Sequence, residues 1–310
     1  MASPNIGAQA SRLARDLTLS SPSATKSTIP KLIYGTAWKK DQTADLVYNA
    51  LKTGFRGIDT AAQPKHYDEA GVGIGVRRAI TDGIIKREDL FIQTKFTAPR
   101  GQSNITPYDL DASLVDKVHQ SVQSSLRNFT IEGQEPYLDS LVMHSPLDTL
   151  QDTLTVWKTL ETYTPHTIHN LGISNVTLPV LQVITQRASV KPAVVQNRFH
   201  DQTEFEVDMR AFCRENDIVF QSFWTLSANP ALLRSPPVSR VAQEAGVPGP
   251  AAYYSLVLGL EGITVLDGTT NEVHMRDDLE GIEKVGAWAD TEGTSWAMAL
   301  SAFKELIGEL

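Results

Sequence analysis

The chain has 310 residues, 41% hydrophobic and 21% charged, a composition that supports a large buried core. A formal net charge of -8 leaves no cationic excess to neutralise phosphates, which argues against nucleic acid or an anionic membrane as the main partner. The single cysteine, Cys213, rules out an intrachain disulfide, so a reducing, cytoplasmic setting is expected and no metal site is.

Residues 1–30 are rich in Ser, Ala and Thr, with Arg12, Arg15 and Lys26 against one acid, Asp16. This composition predicts a poorly ordered extension with one short helix around Gln9 to Leu17. From Lys31 onward, short apolar or β-branched runs alternate with segments of helical period. The candidate strands are 32–35, 57–60, 90–95, 138–144, 167–173, 193–196, 218–222 and 262–266. Between the first two, DQTADLVYNALKTG repeats Ala44, Val47, Tyr48 and Leu51 at helical spacing, with Gly54 at the expected C-cap. GVGIGV, residues 71–76, lacks the order of a dinucleotide fingerprint and reads as a helix of small residues. The longest apolar stretch, Ala251 to Leu260, is too short to span a bilayer and reads as a buried helix. Eight such units without a linker predict one (β/α)8 TIM barrel over residues 31–310, whose chemistry belongs at the carboxyl ends of the strands.

Polar side chains fall at those ends. Asp59 closes the second strand and Tyr67 lies in the following loop. Lys95 ends the third strand and His144 the fourth. Asn175 follows the fifth, Gln196 ends the sixth, and Phe223 and Trp224 follow the seventh. Each alone has an ordinary explanation: a cap, a snorkelling lysine, a strand-end histidine. Together, at corresponding positions of successive strands, they are hard to explain as packing.

GIDTA with a tyrosine in the next loop, Thr94-Lys95, VMHSP, LGISN, VVQN and VLDGTTNEVHMRDDL together resemble the aldo-keto reductase family over Lys31 to the end. The resemblance implies reduction of an aldehyde or ketone by hydride from NAD(P)H. It assigns Tyr67 as general acid, Lys95 as the cation that lowers the phenol's pKa, Asp59 as the partner of Lys95, and His144 as the group orienting the carbonyl. It implies Ser174, Asn175 and Gln196 around the carboxamide and Phe223 or Trp224 stacked on the ring. Leu226 lies beside them, and Trp38 forms the substrate wall. Gly268, Thr269, Thr270, His274 and Arg276 would lie along the cofactor's phosphates.

Three departures from the family pattern stand out. The loop before Tyr67 is long, and His66 is a rival there. Gly268-Thr269 and His274 stand where a Lys-Ser pair and an Arg would grip the 2′-phosphate, near Asp267 and Glu272; NADP is expected from family frequency alone, with NAD open. The short segment after the fourth strand leaves a wide mouth, which suits a bulky carbonyl substrate unless residues 1–30 or a partner subunit close it. Two other readings stay open: a Schiff-base aldolase using Lys95, and a redox-sensing barrel that binds dinucleotide without turnover.

Overall fold

The computed structural model describes residues 12–20 and 27–309. A hairpin comes first, its strands β1 (Leu17–Leu19) and β2 (Ser27–Ile29) antiparallel. Then follow β3 (Leu32–Gly35), β4 (Gly57–Asp59), β5 (Phe91–Phe96), β6 (Leu138–Met143), β7 (Ile168–Ser174), β8 (Val194–Arg198), β9 (Val219–Phe223) and β10 (Ile263–Asp267). These eight are parallel and close into a barrel, β10 pairing with both β9 and β3. Every strand expected from the sequence is present, with no end displaced by more than two residues. The strands are legible because both faces are buried, which demands near-continuous apolar runs.

The connecting helices include α1 (Thr43–Thr53), α2 (Glu69–Thr81), α3 (Leu114–Asn128) and α4 (Leu150–Glu161). The second half adds α5 (Leu178–Arg187), α6 (Val207–Glu215), α7 (Pro230–Leu233), α8 (Pro236–Ala245), α9 (Gly249–Leu258), α10 (Glu272–Thr291) and α11 (Gly293–Leu306). Gly54 caps α1 at a φ of 130°, which a side chain would resist. The glycines of GVGIGV serve packing: a Cβ on Gly75 would stand 2.5 Å from the Ala44 carbonyl of α1. The apolar run in α9 is wholly buried. Among the described residues no helix is long and apolar enough to cross a membrane.

The stretch expected as a loose extension is partly built. Leu17 begins a strand, so the helix expected around Gln9 to Leu17 does not extend to its last residue; residues 1–11 lie outside the described part. Leu19 and Ile29 pack with Ile33, Phe91, Val194 and Val219, at the amino-terminal starts of barrel strands. The hairpin therefore floors the barrel, and its described residues do not cover the mouth.

Cys213 is buried on α6, its thiol pushed up to about 12 by burial and by the Glu206 charge, against the opposing pull of Arg214 and Arg210. At pH 8 its thiolate fraction is then on the order of 10⁻⁴, so the native chain should resist iodoacetamide over hours and label fully in denaturant, as intact mass would show.

Candidate active site

The carboxyl ends of the strands open into a cleft of about 830 Å³. Strand register builds its base. Asp59 at the end of β4 pairs with Gln93 of β5, and Lys95, two residues on, shares the inward face of Gln93. The Lys95 ammonium donates to Asp59 Oδ2 at 2.6 Å and to the Thr60 carbonyl at 2.8 Å, with both side chains almost wholly buried. Asp59 Oδ1 accepts from Gln93 Nε2 at 2.8 Å and from Gln196 Nε2 at 3.0 Å. Both glutamines also donate to Gln221 Oε1, so three amides brace the carboxylate from within the barrel. Burying a charge requires this degree of satisfaction. Thr94, on the opposite face, meets Glu69, which also accepts from Ser125 and Asn128 and so ties α2 and α3 to β5.

The loop after β4 does fold back. Backbone bonds from His66 and Tyr67 to the Gln63 carbonyl close a turn, and Asp68 caps α2 by accepting from the Gly71 amide at 2.9 Å. Fixed between turn and cap, the Tyr67 ring lies 5.1 Å from the Lys95 ammonium and 6.0 Å, edge on, from the His144 ring. His66, the rival, also lines the cleft, its ring tilted against Trp38 with centroids 3.8 Å apart. Burial raises the Tyr67 phenol above its ordinary value; Lys95 pulls it down and Asp59 pushes it up. The lowering expected from Lys95 is therefore real but outweighed by desolvation, and the phenol remains a proton carrier at neutral pH. Lys95, despite burial, is held above its usual range by Asp59 and Tyr67.

His144 sits one residue beyond β6, its Nδ1 2.7 Å from the Thr97 hydroxyl. Burial, with the nearby charges of Lys95 and His66, pulls it down to about 3. Asn175 donates to the His144 carbonyl and to the Ser174 hydroxyl, and accepts from Arg198 at 3.0 Å. Ser174 in turn donates to the Gln196 carbonyl. Trp38, Asn175 and Trp224 all hold positive φ, at 65°, 52° and 58°, a costly backbone for an indole-bearing residue and one that clusters where function fixes geometry. Trp38 and Trp224 stand exposed at the rim.

Of the residues singled out from the sequence, the cleft is lined by Trp38, Asp59, Tyr67, His144, Ser174, Asn175, Gln196, Phe223, Trp224, Leu226, Gly268, Thr269 and His274. Lys95 lies just beneath. Thr270 and Arg276 are exposed and line no part of it: on α10, His274, Asp277 and Asp278 follow helical spacing toward the cleft, which turns residue 276 away. Asp267, marked from the sequence as an acid beside the phosphate positions, also lines the cleft, whereas Lys39, Arg198, Gln93, Gln221, Tyr254 and Asp278 were not singled out as site residues. Only the Gln93-x-Lys95 alternation carried a signal for one of them.

A model of the aldo/keto reductase family matches residues 31–297. The chain belongs to that family. An NAD(P)H-dependent D-xylose reductase of Candida tropicalis is 36% identical over 169 residues, 51% of each chain. A similar protein of Pachysolen tannophilus is 27% identical over 56% of each; the chain thus spans about half the length of these curated relatives. An Arabidopsis thaliana aldo-keto reductase is 26% identical over 83% of this chain and 82% of its own. Among solved structures, an aldo-keto reductase of Bombyx mori in complex with NADP has a TM-score of 0.68 at 20% identity, covering 89% of this chain and 92% of that one, a likeness of fold.

Proposed function

We propose that the cleft reduces an aldehyde or ketone to the alcohol with a reduced nicotinamide dinucleotide, Tyr67 supplying the proton. The observation that carries this reading is the convergence of Tyr67, Lys95, Asp59 and His144 on one point of the cleft. When bound, the dinucleotide supplies a hydride to the carbonyl carbon. As the carbonyl bond breaks, negative charge grows on its oxygen, and the Tyr67 O–H donates its proton there; the phenolate left behind is stabilised by the Lys95 ammonium. Solvent then returns the proton to Tyr67. A Thr97 hydroxyl donating to His144 Nδ1 leaves the imidazole proton on Nε2, a neutral donor that fixes the carbonyl oxygen.

The donor set fits such a cofactor. Gln196 spends its amide nitrogen inside the barrel, which leaves its carbonyl oxygen to accept from a carboxamide. Phe223 and Trp224 offer ring faces, and a cleft of about 830 Å³ is at the large end for a small-molecule site. The short step from Met143 to Leu150 and the two rim indoles favour a bulky carbonyl substrate. Lys95 is a poor Schiff-base nucleophile, because Asp59 and the Thr60 carbonyl hold its protons.

The test is loss of NADH or NADPH absorbance against a panel of aldehydes and ketones; no oxidation with any of them overturns the reading. A pH profile adds a second check. His144 stays neutral above about pH 3, so kcat should show no ionisation from it across about pH 5–9 and should fall only on the alkaline side, as Tyr67 loses its proton. A midpoint near about 6.5 that disappears in His144→Asn would contradict this.

A further inference from the structure

The cations around the cleft differ in what they face. Lys95 pairs with Asp59, and Lys39 lies in the field of Asp267. Asp267 has a second partner in Asp278, pushed up to about 8 by burial and by the Asp267 charge, and Arg198 is not among the groups that act on it. Arg198 itself, at the carboxyl end of β8, lines the cleft with no acid beside it. It donates to Asn175 Oδ1 at 3.0 Å, an uncharged acceptor, and among the described residues no carboxylate pairs with it. Its guanidinium carbon stands 4.8 Å from the centroid of the Trp224 ring and 5.4 Å from that of Phe223. An amide and two aromatic rings hold a guanidinium in place without cancelling its charge.

Asn175, Phe223 and Trp224 are also the residues that the proposed reading gives to the nicotinamide, the first to its carboxamide and the others to its ring. That ring is uncharged in the reduced dinucleotide and carries one positive charge in the oxidised one. The rest of the molecule, diphosphate included, is the same in both forms, so a protein charge beside the ring acts on their difference. We propose, resting on the function proposed above, that Arg198 makes the cleft favour the reduced dinucleotide over the oxidised one. A tenfold preference raises the midpoint potential of the bound couple by about 30 mV. The oxidised form then leaves more readily and competes less with the reduced form for the cleft. The overall equilibrium of the reaction, which no protein group can alter, stays as it is in solution.

Intrinsic tryptophan fluorescence, with Trp38 and Trp224 in the cleft wall, reports binding without turnover. In the unaltered chain the Kd for NAD+ should exceed that for NADH by about tenfold or more, and NADP+ should stand in the same relation to NADPH. Arg198→Gln, which can still donate to Asn175, should cut that ratio by about fivefold or more, chiefly by tightening the oxidised form; Arg198→Lys, which keeps the charge, should hold it within about threefold. A ratio of one or below in the unaltered chain overturns the inference. So does an Arg198→Gln variant that weakens both forms alike and keeps the ratio, which would leave Arg198 a brace for Asn175, and so does equal loss of the ratio in both variants. The proposed reduction stands in each of these cases. Failure of all four dinucleotides to bind overturns both.

Discussion

Tyr67→Phe should lower carbonyl turnover by about 10²–10⁴-fold, the usual worth of a positioned general acid, with the thermal midpoint and the dinucleotide Kd nearly unchanged. The ring makes a T-shaped contact with His144 and lines the cleft, and phenylalanine keeps both. What disappears is the one O–H whose proton Lys95 is placed to help release. The effect belongs in kcat, because substrate can still hydrogen-bond to His144 while its oxygen goes unprotonated. Steady-state kinetics at saturating NADH or NADPH, beside circular dichroism, separates loss of chemistry from loss of fold. Full activity in the variant would remove Tyr67 from the chemistry and turn attention to His144 or His66.

Lys95→Met should cost about 3–5 kcal/mol of stability in addition to activity. The methionine fills similar volume, but the Asp59 carboxylate, 2% exposed and braced only by amides, is left in the barrel without a counter-charge. Adding Asp59→Asn removes the stranded charge, so the double variant should regain most of the lost stability in urea unfolding while turnover stays absent. A single variant as stable as the unaltered chain would mean that the ion pair is not the closed, dry contact described here. Because the two readouts separate in the double variant, structural and chemical roles of Lys95 can be told apart.

The eight barrel strands were legible because Leu32, Ile58, Ile92, Val142 and their neighbours sit in runs apolar on both faces, which few other environments require. The hairpin was not: LTL and STI are three-residue strands in a Ser- and Thr-rich stretch, and what holds them is distant in sequence, the packing of Leu19 and Ile29 on the barrel strands and the Asn170 amide donating to the Ser27 hydroxyl. The ionisable members of the site stood out at strand ends. Gln93 and Gln221 did not, since an uncharged amide inside a strand looks like any polar residue until register sets it beside Asp59. Asp278 was harder still: it reaches the cleft from a helix, and its partner Asp267 belongs to another element.

Because the Gln93, Gln196 and Gln221 amides fill the barrel beneath the site and Leu19 and Ile29 pack against its amino-terminal end, the cleft is a blind well. In the proposed reaction, substrate, alcohol product, water and the proton that resets the Tyr67 hydroxyl would all share one opening, whose lining carries the exposed Trp38 and Trp224 indoles. A slow-leaving product would therefore also delay reprotonation, coupling two steps that a pore open at both ends would keep apart.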